Sequence, residues 1–410
     1  MVSLYRQLPS NQFRLLVKVA GAHDRDLRFR FMHAVPGQTP PFTAVSYTWG
    51  DDPKSEIIYV DDKPFMVRPN LWACLHCLRR GWQLIWADAV CINQDDIAER
   101  NKQVRMMGRI YAEAAVVTAW LGLVPLPAWL NYEGRIVTLE VDDFDWAESM
   151  EEIASRPYWS RSWVIQEFLL AREVHIYCSN VRVDDQFFRD LLARAADMDL
   201  LSVEMADLVQ KPDLMRRWPA LPLVIERHCD RYPDLYQPLY DLLAGHAYAQ
   251  STDPRDKVFA LLGLLPLEER ALLGRNFPDY TLSEEQVNVV TLAHLKFFAG
   301  DRPCEPIFRA LHIDETGEIC RLLRIVESLD YIGTENPAEA EYWHMDIEHD
   351  SGSPAAQQTR NSVLTPNATL NSILDQTHHR QMSNFSWIWK FVGFVVGVVL
   401  FSRGAVYILS

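Results

Sequence analysis

Glu167 stands in the run Ser162-Trp163-Val164-Ile165-Gln166-Glu167, and Trp163, Gln166, Glu167 and Leu170 recur at helical spacing, so one helix face would carry a carboxylate beside an indole. An aromatic neighbour raises a carboxyl pKa by desolvation and can stack on a flat ligand ring, a combination suited to cleaving a glycosidic bond. A surface glutamate paired with Arg161 or Arg172 fits the same spacing, and spacing alone favours that plainer reading. Asp88 follows an apolar run and precedes Cys91 and Asn93, where it could bond a ribose hydroxyl or cap a loop. Gly50 offers a backbone able to approach a phosphate or sugar, while Asp51 and Asp52 after it suit a turn. Cys91 lies in Ala89-Val90-Cys91-Ile92 with no histidine at a telling spacing, so it reads as a small buried thiol. Zincin, zinc-ribbon, P-loop and α/β-hydrolase motifs are absent, and no metal is expected.

Positioning these residues calls for a sheet crossed by helices. Strands are predicted at 13–19, 27–32, 43–48, 56–60, 83–87, 115–121 and 174–177, and helices at 71–80, 97–111 and from Ser160 as N-cap to Ala171. The expected fold is α/β, with a mostly parallel sheet and flanking helices, followed by a mainly helical region and a C-terminal apolar segment. In such a sheet the ligand crevice lies beyond the carboxyl ends of the strands, where Trp49 and Asp88 fall. Farther on, 191–208, 258–265 and 287–298 read as helices, the second opened by the polar turn Ser251-Thr252-Asp253-Pro254-Arg255-Asp256-Lys257.

The 410 residues, 49% of them hydrophobic, suffice for one large core and a second. A net charge of −15 with no basic run argues against nucleic acid as a partner. Seven cysteines without framework spacing suit a reducing compartment, and Cys74 and Cys77 fall on a helix stripe with no second ligand pair to make a zinc site. The N-terminus lacks the apolar stretch of a secretory signal, which predicts a cytoplasmic body. Residues 333–384 are rich in Pro, Ser, Thr, Asn and Gln and read as a tether. From Trp387 to Leu409 the chain is apolar apart from Lys390 and Arg403. Snorkelling of those two, with Trp387, Trp389 and Tyr407 at the interfaces, would let this tail anchor in a membrane; a buried terminal helix or strand is the alternative.

Three tryptophan-bearing blocks carry a family resemblance. Val45-Ser46-Tyr47-Thr48-Trp49-Gly50-Asp51, Trp86-Ala87-Asp88-Ala89-Val90-Cys91-Ile92-Asn93-Gln94 and Tyr158-Trp159 through Glu167, with Trp120-Leu121-Gly122 between, resemble the fungal heterokaryon incompatibility (HET) domain in order and separation. Thr252-Asp253-Pro254-Arg255-Asp256-Lys257 resembles a segment that often follows it. The resemblance implies recognition of non-self and regulated cell death. It also implies a remoter likeness to Toll/interleukin-1 receptor (TIR) domains and their flavodoxin-like sheet, some of which hydrolyse NAD. On that likeness Glu167 is the catalytic carboxylate, and Ser46, Trp49 and Asp51 line the nicotinamide-ribose pocket; Asp88 and Trp163, from their positions after the strand and on the helix face, are the further candidate ligand contacts. NAD would be a substrate rather than a cofactor. A non-catalytic module that binds itself or another incompatibility protein stays open beside this. The implied organisation is N-terminal strands at 1–41, the HET domain at 42–180, a mainly helical region at 181–332, the linker at 333–384 and the tail at 385–410.

Overall fold

The computed structural model describes residues 4–9, 11–19, 26–123, 150–195, 211–228, 236–274, 277–299 and 302–313. The tether, the apolar tail and residues 196–208 of the helix expected at 191–208 lie outside the described residues. Among the described residues no helix is long and apolar enough to cross a membrane.

Nine strands form one sheet: β1 (Phe13–Lys18), β2 (Arg28–Ala34), β3 (Thr43–Tyr47), β4 (Glu56–Val60), β5 (Lys63–Val67), β6 (Leu84–Trp86), β7 (Val116–Trp120), β8 (Val174–Cys178) and β9 (Val181–Asp184), in the order β5-β4-β2-β1-β6-β3-β7-β8-β9. At its centre β6, β3, β7 and β8 run parallel. Counted along the chain from β3, they stand in the order second, first, third, fourth, as in doubly wound sheets of the flavodoxin type. Outside this core the pairing changes, so the sheet is mixed rather than mostly parallel. β1 is antiparallel to both β2 and β6, while the β4–β5 and β8–β9 pairs are antiparallel hairpins. Their turns explain the correction. Asp61 and Asp62 both take positive φ (49° and 60°), the left-handed pair that joins hairpin strands in two residues, and Ser179 turns the second hairpin at φ 54°. β5 and β9 were not predicted; Pro64 in β5 is a residue tolerated in a strand only at an edge, which is where β5 lies.

All five residues of β3 are buried, as expected of a strand flanked on both sides and covered on both faces. The helices α1 (Pro69–Leu78), α2 (Asp88–Cys91) and α3 (Ile97–Glu113) connect β5 to β6 and β6 to β7; Asp96 caps α3 by accepting the Glu99 amide at 3.0 Å. α4 (Ser162–Leu169) follows a 3-10 turn at Pro157–Ser160 and packs on β3, β7 and α3. The later region is helical as expected: α5 (Asp185–Ala195), α6 (Pro212–Arg217), α7 (Ala220–Arg227), α8 (Leu239–Gly245), α9 (Asp256–Phe259), α10 (Leu267–Leu273), α11 (Glu284–Phe298) and α12 (Glu305–Ala310). The helix expected at 258–265 is instead α9 plus a 3-10 turn at Leu262–Leu264. There Gly263 meets Gly108 of α3: a Cβ on Gly263 would lie 3.0 Å from the Gly108 Cα, a contact only two glycines allow.

A second interior feature fixes the N-terminal strands to the core. Arg14, fully buried on β1, forms a bidentate pair with Glu99 of α3 at 2.5 and 3.0 Å. Its guanidinium also donates to the Cys91 and Arg6 carbonyls at 3.1 and 2.6 Å, and Glu99 accepts the Asn93 amide at 2.8 Å. These bonds use both terminal nitrogens of the guanidinium and leave its buried Nε without a partner; such contacts offset much of the cost of burying the charge.

Candidate functional site

Alternation along β3 sends Ser46 to the face covered by α4, and Glu167 descends from α4 to meet it. The Ser46 hydroxyl donates to Glu167 Oε2. Because that hydroxyl donates to the carboxylate, the Tyr158 hydroxyl, 2.7 Å from Ser46 Oγ, donates to the serine in turn. The Tyr111 hydroxyl donates to the Val45 carbonyl at 3.2 Å and also reaches Glu167. Glu167 is 2% exposed, so it is a core carboxylate and not the surface partner of Arg161 or Arg172 that its spacing also fitted. Burial is the main cause that pushes its carboxyl from the usual 4.5 up to about 7; Arg161, Ser46 and Tyr111 oppose that rise and the charge on Asp88 adds to it.

Asp88, half-buried at the end of β6, forms the second half of the site. The Trp49 indole donates to its Oδ2 at 2.9 Å and the Ala89 amide to its Oδ1 at 2.7 Å, and the Tyr47 hydroxyl reaches it too. Burial raises this carboxyl as well, against the pull of Arg161 and of these donors. Arg161 donates to the Tyr47 carbonyl at the end of β3 and attracts both carboxylates. Two carboxylates of raised pKa therefore share one cation at the carboxyl ends of β3 and β6. Such a constellation is able to hold or move a proton and to stabilise a developing positive charge.

Ser46 and Glu167 thus touch, Trp49 and Asp88 touch, and the two pairs interact through charge. Asp51 is exposed on the turn where Arg68 holds the Gly50 and Asp52 carbonyls, and Gly50 takes φ 72°. Trp163 turns its indole away from the Ser46 cluster and donates to Asp256 Oδ2 at 2.9 Å. The aromatic groups around Glu167 are phenols, Tyr158 and Tyr111, not an indole. Sequence reasoning did not single out Tyr47, Tyr111, Tyr158 or the bridging position of Arg161. Tyr158 stood within the third block, but Tyr111 read as one more apolar stripe residue. Asn70 bridges the carboxyl ends of β3 and β7: it accepts from the Trp120 indole at 2.8 Å and donates to the Thr48 carbonyl at 2.6 Å. Cys91 is a buried thiol, pushed up to about 12 by burial.

Comparison with known proteins agrees with the blocks that built this site. Residues 42–125 match the family model described as heterokaryon incompatibility protein (HET). The chain is 28% identical to heterokaryon incompatibility protein 6, OR allele, of Neurospora crassa, over 69% of this chain and 51% of that protein. It is 24% identical to vegetative incompatibility protein HET-E-1 of Podospora anserina, over 58% of this chain and 15% of that protein. The chain thus spans about half the length of the first relative and a small part of the second. No solved structure matches. The matched stretch contains Ser46, Trp49, Asp88 and the Arg14 partner Glu99, and it is over residues 42–125 that the chain carries its match to the heterokaryon incompatibility (HET) domain of these fungal proteins.

Proposed function

We propose that this protein acts in fungal heterokaryon incompatibility, in the recognition of non-self and the cell death that follows, and that its chemical step is TIR-like hydrolysis of NAD at Glu167. The names of the two relatives support the first part. The single observation that carries the second is the buried Glu167, raised to about 7, under Ser46 and beside the raised Asp88 at the carboxyl end of a flavodoxin-order core. Water adds to C1′ of the nicotinamide ribose as the glycosidic bond breaks. The products are ADP-ribose, nicotinamide and a proton. Ionised Glu167 would hold the ribose hydroxyls in place of Ser46 and stabilise the oxocarbenium-like state. Because that role needs the carboxylate, turnover should rise with pH through about 7 and then level off.

The 2% exposure of Glu167 favours a second reading, in which the carboxylate is a structural centre and the domain only binds another copy or another incompatibility protein. NAD consumption by the purified full chain, clustered on a surface and compared with Glu167→Gln, separates the two. Loss of turnover in the variant fits hydrolysis. Toxicity on overexpression that survives Glu167→Gln, without NAD loss, fits the binding module. The same proposal holds the body in the cytoplasm, anchored to a membrane through residues 387–409; fractionation with and without 385–410 tests that.

A further inference from the structure

α4 is eight residues long and brings no cap of its own: Arg161, at its N-cap position, has its side chain committed to the Tyr47 carbonyl. Its ends are held instead by the helical region. At the start, the Gln250 carbonyl accepts the Ser162 amide at 2.8 Å and the Ser162 hydroxyl at 3.2 Å, while the Gln250 amide donates to the Ser160 carbonyl at 2.5 Å. At the other end, Arg227 of α7 donates to the Phe168 and Ala171 carbonyls, both at 2.8 Å. One turn before Glu167, Trp163 is tied to Asp256, whose other oxygen accepts from the Tyr280 hydroxyl at 2.6 Å. The segment between Gln250 and Asp256 is itself braced. Arg255 pairs with Asp253 at 2.7 Å and donates to the Tyr280 and Leu282 carbonyls, and buried Lys257 donates to the Ala249 carbonyl.

We propose that residues 249–257 are a clasp that holds α4 closed on β3, so that the helical region downstream of the matched family stretch controls access to Glu167 through the Trp163–Asp256–Tyr280 contact. The residues a turn apart on α4 explain how. Trp163 and Glu167 are anchored to different bodies, Trp163 to the clasp and Glu167 to β3, so these two side-chain contacts together set the rotation of α4 about its axis, while Gln250 and Arg227 hold its ends. Release of the Trp163 side leaves the helix free to lift Glu167 from Ser46. A partner that displaces the clasp would open the site without touching it. The regulatory part of this rests on the hydrolysis reading; the clasp itself does not.

The test uses the full chain carrying Trp163→Phe, which keeps the ring and removes its N–H, Tyr280→Phe, which removes one hydroxyl, and Asp256→Ala. Hydrogen exchange of the α4 amides and carbodiimide labelling of Glu167 are followed by mass spectrometry, with α1 and β1 peptides as internal references. Exchange and labelling in α4 are expected to rise about tenfold or more in Trp163→Phe and Asp256→Ala, and less in Tyr280→Phe, while the references stay constant; in this two-state picture tenfold marks an opening equilibrium shifted by one decade. Unchanged α4 exchange in Trp163→Phe and Tyr280→Phe, or a rise shared equally by the reference peptides, overturns the clasp. If α4 opens but NAD turnover stays at the Glu167→Gln level, the clasp stands and the hydrolysis reading fails.

Discussion

Replacing Glu167 by Gln should stabilise the protein in alkaline solution and not in acid. The carboxyl is held at about 7 against an ordinary 4.5. Between those values the folded chain keeps a proton that the unfolded chain has released. Stability is therefore lost as pH rises through that window, and above it the ionised group costs about 3 kcal/mol. Gln is isosteric with the protonated acid, but its second N–H has no assured partner among Ser46, Tyr158 and Tyr111, a loss of about 1 kcal/mol. The variant should then be more stable than the parent by about 2 kcal/mol at pH 8 and less stable by about 1 kcal/mol at pH 4.5, from the same two terms. Urea unfolding of both proteins at pH 4.5, 6, 7 and 8 measures the difference, and titrating groups that do not interact with Glu167 cancel between them. A difference that is flat over this range, or a variant that is weaker at pH 8, would refute the claim that burial dominates the Glu167 carboxyl.

Arg14→Met or Glu99→Gln alone should cost about 3–5 kcal/mol in denaturant unfolding, because each strands a buried charge, whereas Arg14→Met with Glu99→Met should cost much less than the sum. Gly263→Ala places a Cβ 2.7 Å from Gln166 Oε1 and 3.0 Å from the Gly108 Cα. The Gln166 end can swing aside but the backbone cannot, so a loss of about 1–3 kcal/mol in thermal unfolding is expected. Trp49→Phe removes the donor to Asp88 Oδ2 and should cost about 1.5–3 kcal/mol at pH 8, shrinking as acid protonates Asp88. An unchanged melting curve in either single variant would show that its contact contributes nothing.

Much of the central sheet was legible from the chain. The buried run of β3, the stripe of α3 and the strands β6, β7 and β8 are local patterns, and their observed limits differ from expectation by a residue or two. The direction of the flanking strands was not legible, because it depends on which edge β1 chooses, and that choice is made by Leu16 and Val17 pairing with Ile85 and Leu84 far along the chain. The site divided in the same way. Glu167 and Asp88 stood out by their positions beside apolar runs, while Ser46 and Trp49 were reached through the family resemblance. Tyr111 carries no such contrast, since a tyrosine on an apolar stripe is indistinguishable from core until its hydroxyl finds Val45 and Glu167. Trp163 shares a helix face with Glu167 by spacing, yet a carboxylate 93 residues later captures its indole.

The Arg14–Glu99 pair sets how short a working fragment can be. A piece of the chain begun at Phe42, where the family match starts, would leave Glu99 as a lone anion in an apolar interior and the outer side of β6 bare of the strand that seals it. Such a fragment should aggregate or collapse rather than fold, so the recognisable portion of this protein is smaller than the portion that must be inherited together.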